Sequence, residues 1–156
     1  MLKADSYKSM KQQIVDYIKN FLDQRIQTSY DAMQAAQASA NEESKSSAGD
    51  KYETSRAMGQ LDRDMHGLMH EQAKREKAIV ERIDMSLTFK KGAVGAYLKT
   101  SSGNYFLAVS VGICKIDNDS IMIISPQSPI GALLMGKGKG ETFNFRGKEA
   151  MIEEIF

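Results

Sequence analysis

The stretch Ser44-Lys45-Ser46-Ser47-Ala48-Gly49-Asp50 is small, polar and glycine-containing, and it stands between two runs of helical periodicity. Before it, Val15, Ile18, Leu22, Ile26, Met33, Ala36 and Ala40 follow steps of three, four and seven, the signature of a helix with one apolar stripe. After it, Met58, Leu61, Met65, Leu68, Gln72 and Ile79 keep the same heptad step and are expected to face the first stripe once the chain reverses. No proline falls between Asp5 and Ile83, and Gly49, Gly59 and Gly67 are the only glycines there. A helix stop and restart at 44–50 therefore predicts an antiparallel helical hairpin, a coiled coil. Each arm would hold roughly 35 to 40 residues and span on the order of 50 to 60 Å.

Beyond Gly92 the pattern changes to short runs rich in Val, Ile, Tyr and Phe: Ala93 to Thr100, Tyr105 to Val111, Ser120 to Ser125, Thr142 to Phe145 and Ala150 to Ile155. Turn signals such as Ser101-Ser102-Gly103-Asn104 and Arg146-Gly147 separate them. Ser128 to Met135 reads as one short helix, with Pro129 tolerated in its first turn. The expected fold is α+β: a helical hairpin over residues 1–84, with its tip near 44–53, then a small antiparallel sheet domain over 85–156 with one short helix.

Composition narrows the function by exclusion. Lys plus Arg (21) nearly balance Asp plus Glu (20), so bulk attraction to nucleic acid is weak and stable DNA binding by the chain alone is not expected. A single cysteine, Cys114, rules out an intrachain disulfide and a multi-cysteine zinc site. No apolar run resembles a signal peptide or membrane span, and the expected location is the cytoplasm.

Asp50 and Glu53 lie three residues apart at the start of the second arm and can share one helical turn. Two readings stand side by side. Asp at an N-cap with Glu three positions on is a capping box, which satisfies exposed backbone amides. Two oxygen donors on one turn are also half of a magnesium site, to be completed by ligands from elsewhere. Glu42 and Glu43 end the first arm, where the helix dipole disfavours negative charge, so helix stability does not account for them. Lys45, Lys51 and Arg56 near the tip read as solvated cations or phosphate contacts.

Other constellations are weaker. His66 and His70 have metal-binding spacing, but the intervening Gly67-Leu68-Met69 lacks the glutamate of a zinc hydrolase helix, and they read as surface or packing histidines. Gly131 to Gly138 nearly spells a phosphate-binding loop, yet Gly138 replaces the magnesium-holding hydroxyl and the segment follows a helix instead of a strand. Cys114 reads as a buried thiol in a β run.

Two separated motifs resemble the Gre transcript cleavage factors of bacterial RNA polymerase. Gly49-Asp50-Lys51-Tyr52-Glu53 is similar to that family's tip pattern Gly-Asp-x-x-Glu. Ser128-Pro129-Ile130-Gly131, followed by Gly136-Lys137-Gly138-Lys139-Gly140-Glu141, is similar to its C-terminal signature. The resemblance covers nearly the whole chain and implies an FKBP-like C-terminal domain docked on the polymerase rim, with Ser128, Pro129 and Ile130 in the partner-binding loop. It implies a hairpin that enters the secondary channel and meets the nascent RNA 3′ end there. Asp50 and Glu53 would help hold a Mg²⁺ shared with the polymerase active centre and promote cleavage of backtracked RNA, rescuing arrested complexes. The chain would thus stimulate the polymerase's own nuclease instead of being an enzyme itself.

Departures from the pattern open a second expectation. Thr54-Ser55-Arg56-Ala57 follows Glu53 where the family usually continues Asn-Ala-Glu-Tyr, and Gln127 stands where some members carry an acid. A Gre-like channel-binding regulator without cleavage is the alternative. An FKBP-like isomerase or coiled-coil adaptor unrelated to polymerase is a third reading, although the chain has no tryptophan to floor an isomerase pocket.

Overall fold

A computed structural model describes residues 2–43 and 49–156, with side chains described for 5–42 and 53–156. Helix α1 runs Leu2–Glu43 and α2 runs Gly49–Glu81. Residues 44–48, the expected core of the tip, and the side chains of Glu43 and Gly49 to Tyr52 lie outside the described residues.

The two helices pack antiparallel, as pairs between them show. Asp23 accepts an ion pair from Lys77 at 2.5 Å, His70 reaches the Ile26 carbonyl at 3.1 Å, and Gly67 and Gly59 lie against Met33 and Ala40. Partners thus move up α1 as they move down α2. The α1 stripe is buried as expected at Val15, Ile18, Leu22 and Ala40.

The α2 stripe corrects the sequence expectation. Met58, Leu61, Met65, Leu68 and Ile79 are exposed, Gln72 is exposed as well, and the covered face carries Gly59, His66, His70, Ala73, Glu76 and Val80, of which Gly59, His66 and His70 lie beside α1 residues. Residue size explains the rotation. A Cβ on Gly59 would sit 3.3 Å from the Ala40 Cβ and 3.7 Å from its Cα, so the arms approach too closely there for Met or Leu to enter the seam. Moving the seam by one residue turns α2 by about 100° and leaves its large apolar side chains outside.

Contacts divide the chain into two compact units, one of residues 1–19 with 79–156 and the other of residues 20–78. The base of both arms therefore belongs with the sheet, and the remainder of the hairpin forms the second unit.

In the first unit, strands β1 (Tyr97–Thr100), β2 (Gly103–Leu107), β3 (Gly112–Ile116), β4 (Asp119–Ile124), β5 (Thr142–Phe145) and β6 (Lys148–Ile155) form a sheet ordered β3-β4-β2-β1-β6-β5. Helix α3, Pro129–Leu134, follows β4. The sheet is mixed, which corrects the antiparallel expectation: β2 and β4 pair in parallel, Asn104 with Ile121 through Leu107 with Ile124. The chain leaves β2, forms β3 at the edge, and returns as β4 between them, so two successive reversals bring two like-directed strands together. Arg146 and Gly147, with φ of 53° and 80°, make the two-residue β5–β6 turn, the backbone sign that matches strand twist.

Alternation along the strands buries both faces. One face carries Ala96, Leu98, Leu107, Ile124 and Ile152 in a core with Ile130 and Leu134 of α3 and Phe143 of β5. Tyr97 and Phe106 point to the other. There Tyr7 of α1 lies 5.4 Å from the Tyr97 ring, stacks on Phe156 at 3.6 Å and donates to Glu154 at 3.2 Å. Burial pushes the Tyr97 hydroxyl well above its ordinary pKa, with Asp119 and Tyr7 adding to it.

Candidate functional site

The acidic pair lies at the beginning of α2. The described part of α2 opens at Gly49, and Asp50 and Glu53 lie in it three residues apart, while the cap of this helix and the Asp50 side chain fall outside the described residues. Glu53 is exposed, as are Thr54 and Arg56, so the turn after Asp50 is open to a partner. Arg56 is exposed about one turn on from Glu53. Glu42 is exposed near the end of α1.

Among the described residues, no group of three or more His, Cys, Asp or Glu side chains is arranged to hold a metal ion. Two carboxylates on one turn suit magnesium as partial ligands, with the remaining oxygens supplied by water, phosphate or another protein.

The second motif occupies α3 and the loop after it. Ser128 is the N-cap: its Oγ accepts from the Gly131 amide at 3.1 Å and donates to the Ser125 carbonyl at 2.6 Å. Pro129 opens the helix and is exposed, whereas Ile130 is buried in the core. Gly131 is obligatory, because a Cβ there would run into the Ser125 carbonyl oxygen. Of the three residues expected to meet a partner, Pro129 offers surface, Ser128 is engaged in capping and Ile130 supports the loop from beneath.

Downstream, the Gly136 amide donates to Gly92 O at 2.9 Å and Gly92 returns a bond to Lys137 O at 2.8 Å. Gly140 donates to Ile152 O, and the Glu141 carboxylate accepts from the Gly138 amide. Gly136 and Gly140 have φ of 79° and 86°, a region that L side chains rarely adopt. The loop is therefore held from both ends against the segment before β1 and against β6. It carries exposed Lys139 and half-buried Lys137, and it does not have the strand-to-helix geometry of a phosphate loop.

The remaining candidates have structural roles. His70, with a proton on Nδ1, donates to the Ile26 carbonyl and lies 3.4 Å from Ser29 Oγ, stitching a polar step into the hairpin seam. His66 lines a groove of about 370 Å³ with Phe21, Arg25, Thr28, Ala32 and Met69. Cys114 is buried in β3, and burial raises its thiol pKa, the reverse of what a nucleophile needs. No helix among the described residues is long and apolar enough to cross a membrane.

Sequence reasoning missed Lys11. It is only 4 % exposed, its Nζ lies 4.9 Å from the Phe89 ring centre, and burial lowers its pKa to about 8. Its place on the α1 stripe, three residues before Ile14 and four before Val15, is the signal that would have found it.

Comparison with family models, with curated proteins and with solved structures gives no match for this chain.

Proposed function

We propose that this chain is an RNA polymerase secondary-channel factor of the Gre type, which stimulates cleavage of backtracked RNA by the polymerase's own active centre. The observation that carries the reading is the joint occurrence of two motifs at mechanically distinct positions. Gly49 to Glu53 begins the second arm of an antiparallel hairpin, and Ser128 to Glu141 forms a capped, glycine-dependent loop on the sheet unit. A factor that docks with one element and acts with another needs its two motifs on different elements.

In this reading Asp50 and Glu53 would hold a Mg²⁺ together with oxygen ligands from polymerase, RNA and water, and the ion would supply the activation of water that phosphodiester hydrolysis needs. Pro129 and its surroundings contribute to docking on the polymerase rim. The near balance of positive and negative charge fits a protein whose contact with RNA is arranged by its partner.

A second reading, channel binding without cleavage, is favoured by Arg56, an exposed cation one turn beyond Glu53 that can compete with a metal for the same carboxylates. One assay separates the two. Backtracked elongation complexes in magnesium should shorten their RNA faster with the chain present, and Asp50→Asn or Glu53→Gln should abolish the effect while polymerase binding survives. Unchanged RNA length despite binding supports the non-cleaving regulator, and absence of binding rejects both.

A further inference from the structure

The outward face of α2 has no role in the reading above, and it is unusual for a solvated helix. Met58, Leu61, Met65 and Leu68 are 60 %, 65 %, 52 % and 71 % exposed. Their steps of three, four and three are the spacing of a second coiled-coil seam, and Met69 widens it. Single exposed apolar residues mean little, but a contiguous strip over three turns of helix is the kind of surface that marks an interaction site. Methionine and leucine together suit a helix face, since the thioether chain adapts its shape.

The border of the strip selects its occupant. At the flanking positions of this seam stand Asp62, Asp64 and Glu71, all exposed, and between Met58 and Leu68 no lysine or arginine occupies either flank. Glu71 also meets Lys74 at 3.7 Å, an exposed pair that another cation can displace at little cost. In antiparallel pairing a second copy of this chain would bring the acids of each flank against the same acids, so that mode of self-association is disfavoured. An anionic membrane is disfavoured by the same charges, because helices that lie on membranes carry basic residues beside their apolar face.

We infer that this face of α2 docks an amphipathic helix of a partner protein, one with apolar residues at heptad spacing and lysine or arginine on both flanks, as a third helix against the hairpin. The inference does not depend on the polymerase reading. The apolar strip provides the attraction and the acidic border provides the choice of partner and orientation.

A fluorescent peptide of three heptads, with leucine at the seam positions and lysine at both flanks, is a direct probe; its like flanking charges keep it from pairing with itself. Fluorescence anisotropy with the full chain should show saturable binding, weaker by about tenfold or more when the flanking lysines are replaced by glutamate. The double variant Leu61→Gln, Leu68→Gln should lose binding with an unchanged helical circular-dichroism signal, since both side chains point away from the seam with α1. The triple variant Asp62→Lys, Asp64→Lys, Glu71→Lys should reverse the preference and take the glutamate peptide. The inference is overturned if neither peptide binds, if both bind equally, or if binding survives the leucine substitutions. It is also overturned if sedimentation shows a dimer of the chain that those leucine substitutions dissociate, because a second copy would then be the occupant.

Discussion

Replacing Lys11 by methionine should stabilise the protein at neutral pH, and the gain should disappear as the pH rises. The lysine is nearly fully buried beside a cavity of about 120 Å³ that is lined also by Asp5, Tyr7, Lys8 and Ser86. Burial lowers its pKa from 10.5 to about 8. At about 1.4 kcal/mol per unit, holding the ammonium in the folded protein costs about 3 kcal/mol. The Phe89 ring face, 4.9 Å away, favours the ammonium, and the shift in pKa measures the penalty that remains. Methionine has a similar unbranched shape and no charge, so Lys11→Met should gain about that amount at pH 7. The sign follows from proton counting. Between pH 8 and 10.5 the unfolded chain keeps a proton that the folded chain has released, so wild-type stability rises with pH in this window. Below pH 8 both states are protonated and the penalty is present in full. Tyr7 and Tyr97 have raised pKa values and act oppositely above their ordinary value of 10.0, where stability falls as the unfolded tyrosines ionise. Urea unfolding of both proteins, followed by tyrosine fluorescence from pH 7 to about 9.5, isolates the lysine effect as the difference between them, because the buried Cys114 thiol, whose raised pKa lowers stability above its ordinary 9.0, acts equally in both. The variant's advantage should shrink by at least about 1 kcal/mol over that range. An advantage independent of pH, or a destabilised variant at pH 7, would refute the reasoning.

Three further outcomes are expected. Gly59→Leu should force the arms apart at Ala40 and cost about 1–3 kcal/mol, seen as a lower midpoint in helical circular dichroism, whereas Leu61→Gln on the outward face should leave the midpoint nearly unchanged. Gly67→Ala meets only the Met33 Sδ at 3.7 Å, an ordinary contact, and should raise the same midpoint through a helix-propensity gain of about 1 kcal/mol. Ser128→Ala removes the cap of α3 and should cost about 1 kcal/mol in urea unfolding, while Gly131→Ala, opposed by the Ser125 carbonyl, should cost more.

The division into a helical hairpin and a sheet unit is legible in the sequence because each rests on local periodicity. Val15, Ile18 and Leu22 mark the seam of α1 correctly, since a large apolar residue on that arm has space to be buried. On α2 the same logic fails: small residues at Gly59 and Ala73 set the helix separation, and the heptad of Met58, Leu61, Met65 and Leu68 belongs to the outer face. Hydrophobic spacing reveals that a stripe exists but not which of two stripes meets the partner arm. In the sheet, the turn at Arg146-Gly147 was readable from residue type. Strand β3 was not, because Gly112 to Ile116 is a short edge strand of alternating exposure beside an apolar run that reads as one longer strand. The parallel β2–β4 pairing depends on where β3 is placed and has no local signature. Asp50 and Glu53 were legible as a pair three residues apart, and Ser128 to Met135 as a short helix, whereas the capping role of Ser128 comes from the structure. The burial of Ile130 and Lys11 emerges only from packing in three dimensions.

The proposed function stands on where the start of α2 goes when the chain meets polymerase. A photoreactive residue placed at Thr54, which is exposed beside Glu53, measures this directly in a backtracked elongation complex carrying labelled RNA. The account predicts a crosslink to the 3′ segment of the nascent RNA or to protein of the polymerase active centre, lost when an excess of unlabelled chain is added. Crosslinks confined to the outer surface of polymerase, or none at all while the chain remains folded, would contradict it.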